Sequence, residues 1–186
     1  MNESLNILGI SGSLRGSSYN RAALVAAQGL LPATVDLELF DLEGLPLFNQ
    51  DLENQPTQRV TEFKKKIREA DAILFATPEY NYSISGVLKN TIDCASRPHG
   101  DSAWSGKPVA VMGASPGSFG TARAQYQLRQ ILISLNMFPI NQPEVMIGNA
   151  AMVFDGQGKL IDEKSQRLIR ELLENLASWT KQLKKK

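Results

Sequence analysis

One cysteine, Cys94, and one histidine, His99, are all the thiol and imidazole chemistry in 186 residues. That scarcity excludes an intrachain disulfide framework, and it leaves no set of soft donors at ligand spacing, so no metal is expected. A lone thiol fits a reducing compartment, which points to a cytoplasmic protein. An excess of one charge is missing too. Lys and Arg total 20 against 19 Asp and Glu, a formal net charge of +1, so global charge gives no reason to expect a nucleic-acid or membrane partner. Long apolar runs are also absent. The stretch near the N-terminus is broken by Gly9 and Ser11 and follows no basic segment, so it reads as a strand, not as a signal peptide or a membrane span. Linkers, repeats and low-complexity segments do not occur, and 42% hydrophobic residues over this length suit one domain spanning residues 1–186. The run Lys184 to Lys186 reads as a solvated, frayed tail.

What is present is a regular alternation of short aliphatic runs, glycine- or proline-bearing loops and segments of helical spacing. Strands are expected at Leu5–Ile10, Val35–Phe40, residues 72–77, residues 108–114 and near Glu144–Ile147, the last bracketed by Pro139 and Pro143. Helices are expected at Asn20–Leu31, Thr57–Ala70, about 84–95, Thr121–Asn136 and Glu163–Leu183, with "DGQG" at 155–158 turning a small hairpin before the last. Their core faces carry Val60, Phe63 and Ile67, then Leu88, Ile92 and Ala95, then Leu128 and Leu132, then Leu172 and Leu176. Strict alternation implies an α/β three-layer sandwich around a five-stranded parallel sheet, because each parallel connection needs a right-handed crossover helix. Order 2-1-3-4-5 is the common choice for five strands, and it places a ligand crevice at the carboxyl ends of strands one and three.

Three loops meet that edge. "SGSLRGSSYN", residues 11–20, is rich in hydroxyls and glycine, carries one charge, Arg15, and opens a helix. It is either an ordinary capped turn or an anion cradle of backbone N–H groups with Ser11, Ser13, Ser17 and Ser18 as neutral donors. It lacks the Gly-Lys-Ser/Thr ending of a P-loop, and Gly12 and Gly16 miss the G-x-G-x-x-G spacing, so a monophosphate suits it better than a dinucleotide. "TPEYNYSI", residues 77–84, is either a proline turn whose tyrosines pack on a helix or a stiff, flat-sided seat for an aromatic heterocycle. The Ser- and Gly-rich loop from Ala114, with Ser115, Gly117, Ser118 and Gly120, is either a plain turn or a source of N–H groups for the remaining ring edge. Predicted as neighbours, the three favour a phosphate with an attached ring.

At these loops the chain resembles the NADPH-dependent FMN reductase family, the flavodoxin-like quinone, chromate and azo-dye reductases, over most of its length. The resemblance implies a flavodoxin-like fold and FMN as cofactor. Ser11, Ser13, Arg15, Ser18 and Asn20 would hold the phosphate, with Ser17 and Tyr19 completing the cofactor loop; Pro78, Glu79, Tyr80 and Asn81 would line the ring; Ser115 and Gly117 would touch its pyrimidine edge. Where the family often has a glycine beside Gly120, this chain has Thr121. The resemblance further implies hydride passing from NADPH or NADH through the flavin to a small-molecule acceptor, so no catalytic side chain is assigned. His99 reads as an exposed or rim residue. A non-enzymatic flavodoxin-type carrier is the rival reading, and the near-neutral charge and Arg15 in the phosphate loop argue against it. A receiver-type signalling domain would need an acceptor aspartate at the end of strand three, where Thr77 and Pro78 stand. The family tends to form dimers or tetramers. A homo-oligomer, a dimer or a homotetramer, is therefore expected, with Tyr82, the His99 region or a partner's helix roofing the site, and Arg123, Tyr126, Gln130 and Ile133 on an outward helix face.

Overall fold

The computed structural model describes residues 4–185. Strand β1, Leu5–Ser11, leads into helix α1, Tyr19–Gln28, and then into β2, Val35–Phe40. Helix α2, Gln58–Glu69, precedes β3, Ala72–Ala76, and α3, Gly86–Ser96, precedes β4, Pro108–Ala114. After α4, Ala122–Ser134, come β5, Phe138–Pro139, and β6, Val145–Ile147. A short α5, Ala150–Val153, and the long α6, Glu163–Lys184, close the chain.

The strands are parallel in the order β2-β1-β3-β4-β5, with β6 also paired to β4. Burial explains which strands sit where. Every residue of β3 and β4 is buried, as strands covered on both faces must be, whereas β2 alternates buried Val35 and Leu37 with exposed Asp36 and Glu38 at the sheet edge. Each face has its own core. Leu24, Leu74, Met112, Leu172 and Leu176 fill one between the sheet and α1 and α6; Phe63, Phe75, Leu88, Trp104 and Leu128 fill the other beneath α2, α3 and α4. Trp104 is fully buried, donating its indole N–H to Ile92 O at 3.0 Å.

Two expectations need correction, the fifth strand and the lysine tail. The single strand near 144–147 is in fact a divided edge. Pro139 pairs with Val109 inside β5, residues 141–144 leave the sheet, and β6 rejoins at Met112. Proline is tolerated there because an edge strand needs no donor on its outer side. The polar helix α2 buries Lys64, whose Nζ donates to Arg97 O at 2.5 Å and to Asp101 Oδ2 at 2.6 Å. That hydrogen bond holds the Asp101 carboxyl below its usual range. Lys184 is no frayed residue: it ends α6 and pairs with Asp71 at 2.6 Å, while Lys186 lies outside the described residues. The turn at 155–158 does close a hairpin, bridged Phe154 to Leu160, with Asp155 Oδ1 accepting from Gln157 N and Lys159 N. No helix among the described residues is long and apolar enough to cross a membrane.

Candidate functional site

Register sets the geometry of the crevice. Ser11 pairs with Ala76, and Ala76 with Met112, so β1, β3 and β4 deliver the three loops to one edge of the sheet.

In the first loop Ser18 caps α1, its Oγ accepting from Arg21 N at 3.4 Å. The first-turn N–H groups of Tyr19 and Asn20 have no acceptor within the helix and lie at its positive end. Ser11 Oγ is buried and has no hydrogen-bond partner among the described residues. Ser13 Oγ accepts from Arg15 N at 3.3 Å. Arg15 is exposed and folds back, donating to Ser17 O at 2.7 Å with its guanidinium 5.5 Å from the Tyr19 ring centre. Tyr19 itself packs on Phe154, with ring centres 5.5 Å apart. Asn20 is placed differently from a phosphate ligand. It is buried, its Nδ2 donates to Ala114 O at 3.0 Å, and its Oδ1 accepts from Ala114 N at 2.9 Å. Both ends of the amide are thus committed to the exit of β4, and the residue ties the first loop to the third.

The second loop touches the first directly. A side chain at Gly12 would meet Pro78 Cδ at 2.9 Å, and Ser85, the N-cap of α3, donates its hydroxyl to Gly12 O at 2.6 Å. Tyr80 and Ser83 exchange backbone hydrogen bonds at 3.0 and 2.9 Å around Asn81 and Tyr82, both at positive φ, which makes a tight hairpin. Asparagine tolerates that conformation best among side-chain-bearing residues. Tyr80 and Tyr82 stay exposed, so the packed-tyrosine reading of this loop does not hold for Tyr80. Glu79 turns away from solvent instead. Its Oε2 accepts from Arg123 N at 3.1 Å and Ala124 N at 3.3 Å, so it caps α4 from outside, and Arg123 pairs with its other oxygen. The cap is needed because Thr121, at the N-cap position, makes no side-chain cap bond. The Arg123 guanidinium lies between the Tyr82 and Phe119 rings, 4.1 and 4.7 Å from their centres.

The third loop is anchored to the divided edge. Ser115 N donates to Ile147 O at 3.0 Å, Ser115 Oγ to Gly117 O at 3.1 Å, and Asn149 N to Gly117 O at 3.1 Å. Thr121 has φ +68, the left-handed region where glycine is the easier residue, and Gln125 Nε2 donates to its hydroxyl at 3.1 Å.

All thirteen residues assigned from the loops therefore lie on the segments that meet at this edge, with Asn20 and Glu79 acting as braces between loops. Ser85 and the Gly12–Pro78 contact were not assigned. A serine directly before a helical run was the available signal for Ser85. His99 is exposed and follows α3, which runs back from the crevice to the opposite edge before β4 begins. It therefore does not roof the site of its own chain.

A doubly wound parallel sheet of order 2-1-3-4-5, with a helix N-terminus and two braced loops at its switch point, defines a flavodoxin-like α/β protein with a crevice for a mononucleotide. Comparison with known proteins narrows this. The model of the family described as NADPH-dependent FMN reductase matches residues 5–152, and the chain belongs to that family. It is 53% identical to an NAD(P)H-dependent FMN reductase of Pseudomonas aeruginosa over 99% of this chain and 100% of that one. It is 43% identical to a quinone reductase of Pseudomonas putida, covering 97% of each. Among solved structures it is similar to a flavoenzyme NAD(P)H:(acceptor) oxidoreductase of Paracoccus denitrificans, with TM-score 0.88, 34% identity, and coverage of 96% of this chain and 98% of that one.

The residues present fit FMN. The buried Ser11 hydroxyl, unpartnered among the described residues at the end of β1 where the loop to α1 begins, is a free donor, and an unpaired buried hydroxyl costs about 1–3 kcal/mol. Arg15 can swing from Ser17 O to a phosphate without breaking any buried contact, since it is exposed.

Proposed function

We propose that this chain is an FMN-dependent NAD(P)H oxidoreductase, acting as one FMN-binding domain. It passes hydride from NADPH or NADH to quinones or similar small acceptors, such as FMN, azo dyes or chromate. The observation that carries the reading is the unpartnered Ser11 hydroxyl at the end of β1, where the loop leading to α1 begins and Gly12, Pro78 and Ser85 lock the first two loops together. When bound, FMN supplies the hydride chemistry. The chain's residues bind and orient it: Ser11, Ser13, Ser17, Ser18 and Arg15 at the phosphate; Pro78, Tyr80 and Asn81 along the ring; Ser115 and Gly117 at its pyrimidine edge. Asn20, Glu79 and Tyr19 hold these loops in place. A near-neutral surface favours a reductase over an acidic one-electron carrier.

The test is optical. The purified protein should be yellow, bleach under anaerobic NADPH and recover its colour on adding a quinone. A protein that stays colourless when loaded with FMN and desalted, or whose colour NADPH leaves untouched, would refute the reading. In the same assay Arg15→Ala should weaken FMN binding by about 1.5–3 kcal/mol, roughly 10- to 150-fold, the range for a charge-assisted hydrogen bond.

The free, buried Cys94 supports a reducing, cytoplasmic location. Tyr82, Phe119, Tyr126 and Ile133 are all more than half exposed on and beside α4, which supports a homo-oligomer, dimer or tetramer, formed across this helix.

A further inference from the structure

A groove runs along α1 from the first loop, with the 155–158 turn as its other wall. Its near part, about 560 Å³, lies against Arg15, Ser17, Arg21, Val25, Asp155 and Gln157. Its far part, about 380 Å³, continues past Ala26, Leu30 and Lys159, and the two parts share Ala22, Val25, Gln157 and Gly158. Each falls within the roughly 300–1,000 Å³ of small-molecule sites. This groove is not the flavin crevice. Arg15, Ser17 and Ser18 border both, but Ser11, Ser13, Pro78, Tyr80, Ser115 and Gly117 do not line it.

The two ends differ in chemistry. The near part holds two guanidiniums that no buried partner claims: Arg15 is exposed and rests on Ser17 O, and Arg21 makes only a 3.5 Å pair with Asp41 in which both side chains are more than half exposed, a weak contact in water. With Lys159, the groove carries three cations against one carboxylate, Asp155, and Asp155 Oδ1 is already taken by the N–H groups of Gln157 and Lys159. The far part is apolar. Val25, 54% exposed, forms a strip on one face of α1 with Ala22 and Ala26. A ligand with phosphate at one end and a ring system at the other matches both ends, and the adenosine end of a reducing nucleotide has that make-up. Its nicotinamide has to reach the ring inside the crevice, which leaves the adenosine outside, and the groove starts at the crevice's own phosphate loop. Because Arg15 serves the flavin phosphate, Arg21 is the guanidinium left for another. We propose, resting on the reductase reading for the choice of nucleotide, that this groove seats the adenosine end of NADPH, with the adenine on Ala22, Val25 and Ala26 and the 2′-phosphate on Arg21. Arg21 thereby sets a preference for NADPH over NADH, its planar fork meeting two phosphate oxygens at once.

The test uses the full chain loaded with FMN, so that the flavin cradle is occupied, and follows the methyl NMR signals of Val25 and Leu30. Adenosine 2′,5′-bisphosphate should shift both at a concentration at least about tenfold lower than adenosine 5′-monophosphate, which lacks only the 2′-phosphate. Arg21→Gln should remove that difference, and Arg21→Lys, which keeps the charge, should restore part of it. In turnover with a quinone, Arg21→Gln should raise KM for NADPH about tenfold or more while kcat and the KM for NADH stay as they were. The proposal falls if neither nucleotide moves Val25 and Leu30 at millimolar concentration, if the two nucleotides bind alike, or if Arg21→Gln raises the KM for NADH as much as that for NADPH, the mark of a merely structural role. Colour in the same sample reports the flavin separately. A yellow protein with a silent groove overturns this proposal and leaves the reductase reading standing, whereas a colourless one that still tells the two nucleotides apart does the reverse.

Discussion

Replacing Gly120 with alanine should destabilise the protein by about 3 kcal/mol or more. Two separate costs combine at this position. The backbone has φ +54, where an L-residue is about 1–2 kcal/mol less stable than glycine. A Cβ there would also overlap Met146 C and stand 2.7 Å from both Ile147 N and Met146 O. Those atoms belong to the backbone of β6, which is hydrogen-bonded in register to β4, so no side-chain rotation relieves the overlap. For a chain of this size the loss corresponds to a fall in melting temperature of about 6–12 °C. The control is Gly86→Ala, where a Cβ meets nothing within 4 Å at the first residue of α3, and stability should stay within about 0.5 kcal/mol. Urea midpoints of the two variants decide the matter. Equal midpoints would mean that the third loop is not pressed against β6, and the site geometry described above would lose its wall.

Asn20→Leu should cost about 2–4 kcal/mol, and the loss should appear in the protein stripped of flavin. Asn20 spends both ends of its amide on Ala114, itself buried, so leucine removes two hydrogen bonds and leaves a strand N–H and C=O unpaired in the interior. FMN affinity should fall as well, because the first loop would no longer be tied to the third. The comparison separates two roles for one residue. A residue whose side chain served only the phosphate would leave the flavin-free protein as stable as before, and that result would return Asn20 to the ligand set.

Why the rest of the site was harder to see follows from the same residues. Ser11, Ser13, Arg15 and Ser18 can be singled out from the sequence as candidates because a hydroxyl-rich loop opening a helix is local chemistry, carried by neighbours in the chain. Glu79 capping α4 across 45 residues, and Asn20 clasping Ala114 across 94, have no local signature at all. The burial of Lys64 on α2 has no local signal either, since its partners Arg97 O and Asp101 arrive from another loop. At the sheet edge, Pro139 reads as a strand breaker because the ladder position that tolerates it depends on which strand is outermost.

By itself the sequence determined the alternation of strands and helices, the parallel sheet and the edge where a ligand belongs, because periodicity, capping residues and crossover handedness act within short stretches of chain. Tertiary structure alone decided which polar side chains face the crevice and which brace it. A donor or acceptor takes whichever partner the fold brings within about 3 Å, and that distance is set by elements far apart in sequence.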